Sequence, residues 1–597
     1  MNAQLERIQT AALLHDIGKF SSRTGQNPPF DKQEREHFNT YAHALWSAHF
    51  VERYLHDSAM ADWVRSHHDY KSQTRESSII SLADWLSSGE REEDEDADRD
   101  RPETAPLVNV LSRLTRCGNG SKTDTSEDKA PRSFFPLIAH GVFEDGFMPR
   151  EKVVSSAQEY GALWSEFEKT LERIDTRKTP HATWLALMRR FCSRIPAATP
   201  TRVKGYVPDI SLYEHSRITA ALAGCFAADN MTQEKISEIR TALSSGHTRH
   251  DILKKEICRL VCGNLSGIQE FLYTGPRKGA AKTLRARSFT LQLLAETCAA
   301  WLSEQAGLSS CSIVYNGGGR FYVLCSLNAP LEQIERELES RLHACPMFDG
   351  VLSVFLGWTD LAPADFLGGA FSEKWREAGA AANEKRTRRY SQLAAQDYDS
   401  VFGSSLRADR IASWESVEPA EDEQGVPDQD KCYLDLGRKL PNAKWLVKCR
   451  ASNAPDGINK IFARFGIEYE LCTALDEAGD HGEWLELVQL GGLDAAGLSR
   501  LPSRTALSYR STATHWPSVE RSGAPATFEE IAARSTGAKK LGVLHARPRT
   551  TEAAAAASPE SSCGRYGLAR GDSRAFWIRV PDEVEVLTWT AYREEVS

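Results

Sequence analysis

No stretch of 18 apolar residues occurs in this 597-residue chain, and Met1 to Thr10 mix charges without an apolar core of signal-peptide type. Neither a membrane-spanning helix nor secretion is expected, and the expected setting is cytoplasmic and soluble, with no membrane partner. An excess of positive charge is also lacking. Lys and Arg total 73 against 82 Asp and Glu, a formal charge of -9, which excludes a polybasic tail and leaves nucleic acid only a local basic groove. The thirteen cysteines are scattered, with Cys563 alone near the end, so they form no dense disulfide framework and suit a reducing compartment. What is present is ordinary. A hydrophobic content of 41% argues against a disordered chain or a collagen-like fibre, and the length predicts two to four domains with at least one full core.

Apolar residues at helical spacing dominate the first 90 positions. Ala11, Leu13, Leu14 and Ile17 form one stripe, interrupted at Gly18. Tyr41, Trp46, Phe50 and Tyr54 form a second, and Ile79, Ile80, Ala83 and Leu86 a third. Gly25, Asn27, Pro28 and Pro29 mark a loop, and the acidic run from Glu92 to Asp100 reads as a solvated surface loop. From Ala105 to about Glu256 the pattern stays mainly helical, with amphipathic runs over Gly161–Ile174, Ala182–Ile195 and Ile218–Ala228.

The period changes after Ile257. Strands are predicted at Leu260–Asn264, Cys311–Tyr315, Phe321–Leu324 and Val351–Leu356, with helices over Ala281–Glu304 and from Pro330 to Leu342. Asn316-Gly317-Gly318-Gly319-Arg320 suits a tight hairpin with positive φ angles. The order β-α-β-β-α-β is the split βαβ core of a ferredoxin-like palm, so the fold class is α+β and multidomain. A mixed α/β region follows to about Gly537, and a small strand-rich piece fits between Arg574 and Thr590.

Paired imidazole and carboxylate groups recur near the start: His15-Asp16, then His67-His68, then Asp84. Such groups hold divalent transition ions, and two ions bridged by a carboxylate can activate water and stabilise a phosphate leaving oxygen. Buried core histidines and surface carboxylates remain the alternative, because His68-Asp69 and His250-Asp251 show that the pair alone is common in this chain. The first pair differs in interrupting an apolar helical face.

Leu14-His15-Asp16-Ile17-Gly18-Lys19 resembles the opening signature of an HD-type phosphohydrolase. Ala83-Asp84-Trp85-Leu86-Ser87-Ser88-Gly89-Glu90-Arg91 is similar to its counterpart in the large subunit of type III-A CRISPR interference complexes. The resemblance implies a helical HD domain that cuts single-stranded DNA with divalent metal (manganese, nickel, cobalt or magnesium). His15, Asp16, His67, His68 and Asp84 would be its metal cluster and His43 a neighbour. Lys19 is either a phosphate contact or a solvent-facing lysine. Asp209-Ile210-Ser211-Leu212-Tyr213-Glu214-His215-Ser216 matches the family motif where the helical region closes over the HD core. Its polar groups are read as a helix cap and module joint, which leaves His215 outside the catalytic set. Implied partners are a guide RNA, target RNA, single-stranded DNA and the backbone and small subunits of the complex.

The same resemblance extends through Gly263–Phe271, Leu284–Phe289 and Gly317–Phe321, in the order of the family's first palm. It implies ATP binding with Ser266 and Gly267 near a phosphate and Gly317, Gly318 and Gly319 as a surface free of side chains. Arg285 and Arg287 would bind phosphate or lock the sheet, and the bare residues also fit glycines needed only for a turn. Two departures matter. Cys432 and Cys449 stand where relatives carry paired Cys-Xaa-Xaa-Cys ligands, so no structural zinc is expected there. Leu541-Gly542-Val543-Leu544 resembles the start of a second palm, but no aspartate pair or Gly-Gly-Asp-Asp follows. A truncated, frameshifted or split second palm is therefore expected, and cyclic oligoadenylate synthesis by this chain alone is not.

The expected organisation is an HD domain over 1–110, a helical connector over 111–255, a ferredoxin-like palm over 256–395, an α/β linker domain over 396–540 and an incomplete second palm over 541–597. The leading function is a metal-dependent single-strand-specific deoxyribonuclease. A nucleotide or cyclic-nucleotide phosphohydrolase and a catalytically weak scaffold subunit are the alternatives.

Overall fold

The computed structural model describes residues 3–510 apart from 39, 70–72, 89–103, 114–132, 141–147, 200–206, 246–249, 274–279, 344, 346, 349, 368–369, 390, 397, 399–427, 476–483 and 491–504, together with strands at 575–580 and 583–588. The acidic run 92–100, the segment 541–557 and Cys563 lie outside the described residues.

The N-terminal region is helical, as its 3.6-residue apolar period requires. It runs through α1 (Ala3–Leu14), α2 (Gly18–Ser21), α3 (Lys32–Phe38), α4 (Ala42–Leu55), α5 (Ser58–Arg65) and α6 (Arg75–Ser87). Three of these helices start at side-chain caps, the first at α3, where Asp31 Oδ1 accepts from Glu34 N at 2.8 Å. Asp57 accepts from Met60 N at the start of α5, and Thr74 from Ser77 N at the start of α6. Helices α7 (Ala157–Leu171), α8 (His181–Cys192), α9 (Leu212–Ala228) and α10 (Gln233–Ser244) continue the same core. Aromatic rings close the joint with α7, where Phe20 meets Trp164 edge-on at 4.9 Å. The connector is less purely helical than its pattern predicts. Strands β1 (Leu107–Val108) and β2 (Phe134–Phe135) pair antiparallel. Two-residue strands are too short to show a period of two in the sequence.

The palm has the predicted order. After α11 (Ile268–Tyr273) and α12 (Ala280–Gln305) come β4 (Ile313–Gly317), β5 (Arg320–Cys325), α13 (Leu331–His343) and β6 (Ser353–Leu361), all following β3 (Cys258–Ser266). The sheet is β4-β5-β3-β6 with every neighbour antiparallel. Alternation sorts its residues: Val261, Phe321, Val323 and Val354 share a core with α12 and α13, whereas Leu260, Cys262, Tyr322 and Leu324 join the core of the helical region. Strand β4 begins two residues later than its apolar run, because Ser310–Ser312 forms a 3-10 turn closed by Ser312 N to Ser309 O. Gly318 and Gly319 link β4 to β5 with φ of 59° and 80°, both in the left-handed region that a two-residue hairpin of this twist demands.

Helices α14 (Phe371–Arg386), α15 (Ser391–Gln396) and α16 (Asp428–Lys439) lead to β7 (Trp445–Arg450), α17 (Asn459–Phe462), β8 (Ile467–Cys472), β9 (Trp484–Leu490) and β10 (Ala506–Arg510). Their sheet is β10-β9-β7-β8, with only the β10–β9 pairing parallel. A separate unit from Ala513 onward contains the antiparallel pair β11 (Ala575–Val580) and β12 (Glu583–Thr588). Among the described residues no helix is long and apolar enough to cross a membrane.

Candidate metal centre

Helix α1 ends at Leu14, and His15, Asp16 and Ile17 form the turn into α2. The break follows from packing. A Cβ on Gly18 would lie 2.0 Å from His43 O and 2.7 Å from Trp46 Cβ, so only glycine lets α2 meet α4 here. The Gly18 N–H donates to Ser47 Oγ at 2.8 Å. This contact brings Asp16 to the first turn of α4, which carries His43.

Four residues from three parts of the helical region converge. His15 Nε2 lies 3.4 Å from Asp16 Oδ2 and 3.4 Å from Asp84 Oδ1, and His215 Nε2 lies 3.2 Å and 3.1 Å from the same two oxygens. A second group, His43, His67 and His68, stands beside them, with His43 Nε2 3.2 Å from His68 Nε2. Asp16 faces both groups, since its Oδ1 is 3.3 Å from His43 Nε2. Lys19 Nζ is 2.7 Å from Asp16 Oδ2 and is nearly buried, which rules out the solvent-facing alternative.

Each ring is oriented from behind. His15 Nδ1 meets Ala12 O at 2.7 Å, His67 Nδ1 meets Val64 O at 2.5 Å and His215 Nδ1 meets Ser87 Oγ at 3.1 Å. Those contacts turn the three Nε2 atoms inward, the second-layer arrangement typical of metal-ligating histidines. His15 Nε2, His67 Nε2, His215 Nε2 and both Asp16 carboxylate oxygens are buried without an aligned hydrogen-bond partner. Leaving such atoms unmet costs about 1–3 kcal/mol each. A divalent cation would satisfy them together, so the donor set fits a metal.

The electrostatics agree. Burial alone would strip the proton from His15, but the Asp16 and Asp84 carboxylates outweigh it and raise its pKa to about 10. Burial likewise opposes charge on Asp16 and Asp84. Lys19 and His15 for the former, and His15 and His215 for the latter, override it and hold both well below the usual carboxylate range. Burial pushes His43 down to about 3, His67 to about 4 and His68 well below its ordinary value. These rings are neutral at physiological pH, the form that ligates metal.

The structure thus unites His15, Asp16 and Asp84, sets His67 and His68 in the adjoining group with His43, and adds His215. The capping role read for the 209–216 motif also exists, since Ser211 Oγ accepts from Glu214 N at 3.1 Å. One turn further on, the same helix delivers His215 to the carboxylates. The missed signal is a histidine on a helix face otherwise made of Leu212, Ser216 and Thr219, all buried.

The palm residues stand elsewhere. Ser266 ends β3, Gly267 follows with φ of 86°, and Leu265 N donates to Gly319 O at 2.8 Å, so these residues and Gly317–Gly319 occupy one end of the sheet. Arg285 Nη1 reaches Gly437 O at 3.4 Å. Arg287 lies between the Phe271 and Tyr433 rings and donates to Phe271 O and Asp430 Oδ1, tying α12 to α11 and α16. Cys432 and Cys449 line a cavity of about 660 Å³ between α16 and β7.

A family model for the HD domain matches residues 1–89, and one for Csm1 subunit domain B matches 257–403. The chain is 28% identical over 419 residues to the CRISPR system single-strand-specific deoxyribonuclease Cas10/Csm1 (subtype III-A) of Methanocaldococcus jannaschii, covering 64% of this chain and 50% of that protein. Identity is 27% over 401 residues to the protein of the same description from Streptococcus thermophilus, with 64% and 49% covered. For that from Mycobacterium tuberculosis it is 26% over 444 residues, with 68% and 53% covered. The chain therefore spans about half the length of the curated relatives it matches. Among solved structures, a chain of the apo Csm1-Csm4 cassette shares the fold with a TM-score of 0.59 at 19% identity, over 90% of this chain and 63% of that one. A chain of the cassette in complex with one ATP gives 0.58 at 19% identity, over 89% and 63%. The HD match falls on the helices around Asp16 and the domain B match on the palm, and over these regions the chain is similar to the Cas10/Csm1 large subunits of type III-A CRISPR systems.

Proposed function

We propose that this chain is the nuclease-bearing large subunit of an RNA-guided effector and that its HD centre hydrolyses phosphodiesters in single-stranded DNA. The observation that carries this reading is the convergence of the His15, His67 and His215 Nε2 atoms with the Asp16 carboxylate, all buried and without an aligned hydrogen bond. The description of the curated relatives as single-strand-specific deoxyribonucleases supports the choice of substrate.

His15, Asp16, Asp84 and His215 would hold one divalent ion and His43, His67 and His68 a second, with Asp16 reaching both. Bound there, the metal supplies Lewis acidity toward a phosphate oxygen and lowers the pKa of water. The residues of the chain do the rest. Ala12 O, Val64 O and Ser87 Oγ fix the ring orientations. Lys19 keeps Asp16 ionised and places a cation beside the phosphodiester. Asp84 and His43 have side chains 17% and 13% exposed, against 0% or 1% for His15, Asp16 and His215, so substrate enters from their side.

The depth of His15, Asp16 and His215 also favours a second reading, hydrolysis of mononucleotides or cyclic nucleotides. One experiment separates them. Chelator-treated full-length protein reloaded with Mn²⁺ is offered circular and linear single-stranded DNA, duplex DNA and a nucleotide panel. Cleavage of single strands that disappears in His15→Gln and Asp16→Asn supports the nuclease. Turnover of the panel alone sinks it.

In the same reading the palm binds an adenine nucleotide at the end of the sheet formed by Ser266, Gly267 and Gly317–Gly319, with Arg285 and Arg287 behind it. The nucleotide-bound Csm1-Csm4 cassettes of like fold support this. A Csm4-like subunit, guide RNA and target RNA are the proposed partners, and the modules are those divided near residues 110, 255, 395 and 540.

A further inference from the structure

Helix α9 touches two places at once. His215 faces Asp16 and Asp84, and two residues later Arg217 leaves the helical region altogether: its Nη1 donates to Ile313 O at 2.7 Å, at the first residue of palm strand β4. The guanidinium is pre-aimed, because Nε donates to Glu214 Oε2 at 3.1 Å and the group lies 5.7 Å from the centre of the Tyr213 ring. A parallel tie runs from α1, the helix that ends just before His15. Gln9 is fully buried, its Oε1 accepts from Ser309 N at 3.1 Å, and its Nε2 points toward Cys311 Sγ at 3.1 Å and Ala220 O at 3.3 Å. Two of the helices that supply the metal centre are therefore fastened to the 3-10 turn and first residue of the strand whose far end is the Gly318–Gly319 hairpin.

These ties are nearly dry. Gln9 is 0% exposed and the Arg217 side chain 14%, so little water is available to replace a lost bond, and movement of β4 passes to α1 and α9. The centre is sensitive to such movement, because metal ligation tolerates errors of about 0.2 Å in ligand distance. We propose that Arg217 and Gln9 are positioning residues through which palm strand β4 sets the geometry of the His15, Asp16, Asp84 and His215 ligands. This rests on reading those four residues as a metal site.

The test is Mn²⁺ binding to the full-length protein, followed by the spin-resonance signal of free Mn²⁺, with no activity assay involved. Arg217→Met keeps the aliphatic stem and removes the donors. It weakens the tightest Mn²⁺ binding by about tenfold, the range seen when outer contacts of metal ligands are lost. Its melting temperature in excess chelator stays within a few degrees of wild type. Arg217→Lys, which can still donate once to Ile313 O, recovers part of the affinity, and Gln9→Met repeats the loss. Should Gln9→Met fail to fold, the two Arg217 variants decide. Unchanged Mn²⁺ affinity in Arg217→Met, with binding abolished in Asp16→Asn, overturns the coupling while leaving the metal centre intact. Wild-type binding in Asp16→Asn overturns the metal centre itself, and the coupling with it.

Discussion

Metal binding to this protein is predicted to expel a proton from His15. In the metal-free protein the Asp16 and Asp84 carboxylates lift the His15 pKa to about 10 against the opposition of burial, so below that pH its Nε2 carries a proton that a metal ion must displace. The groups facing the ring are Asp16, Asp84, His67 and His215, with Lys19 beyond Asp16. Proton and metal compete for one lone pair. Affinity therefore rises tenfold per pH unit while His15 is protonated, and between roughly pH 6.5 and 8.5 the gain is about 100-fold, or ~2.7 kcal/mol. His43 and His67 add nothing in this window, because burial has already lowered them to about 3 and about 4.

The assay is calorimetric titration of Mn²⁺ into chelator-treated protein under anaerobic conditions, in two buffers of different ionisation enthalpy at each pH. The difference in apparent heat counts the protons released. His15 contributes one for the ion held by its own group and none for an ion held by His43, His67 and His68, and the dissociation constant for the former falls as the pH is raised. Zero protons released, with an affinity that does not move over those two units, would refute the electrostatic account of the site.

Three other outcomes follow from the same geometry. Asp16→Asn removes the one carboxylate that faces both imidazole groups. It should lower Mn²⁺ affinity by about 100-fold or more, measured by the same titration, with DNA cleavage falling to background. Gly18→Ala drives a methyl group into His43 O and Trp46 Cβ, with a cost of about 1–3 kcal/mol from overpacking. Urea denaturation reads that loss, and weaker Mn²⁺ binding should accompany it as α2 is levered off α4. His181, fully buried with Nδ1 2.9 Å from Thr10 Oγ1, has its pKa lowered to about 4 by burial. In the unfolded chain it binds a proton near pH 6.5, so its stabilisation is complete above that pH and is lost as pH falls toward 4, by about 3 kcal/mol in all. His181→Gln should flatten that part of the urea stability profile by one proton.

How much of this was legible depended on whether the information was local. The palm could be read because β3, β5 and α12 are long enough to express their periods, and because Gly318-Gly319 names a hairpin by the φ angles it permits. Strands β1 and β2 offer two residues each, separated by a long interval, and no window detects them. Ser211 announced the start of α9 correctly, but a cap says where a helix begins and nothing about which core its next turn enters. His215 was invisible for that reason. Arg287 illustrates the same limit from the other side: charge and position suit a phosphate, whereas its partners Phe271 O and Asp430 come from α11 and from a helix more than a hundred residues away.

The His-Asp pairs show what distinguishes a site from a coincidence. His250-Asp251 matches His15-Asp16 in composition, yet His250 and Asp251 are exposed at the start of a 3-10 turn, and Asp251 faces Lys254 at 3.5 Å. His15 and Asp16 are fully buried, and α1, α4, α6 and α9 all aim polar atoms at the same small volume. Such convergence is unfavourable unless something cationic completes it, because each buried donor or acceptor left unmet is destabilising. Lys19 compensates Asp16 only in part, since both carboxylate oxygens still lack an aligned partner. Two neighbouring carboxylates, a lysine on one of them and a histidine held protonated between them describe a centre whose proton stands in the place of a metal ion.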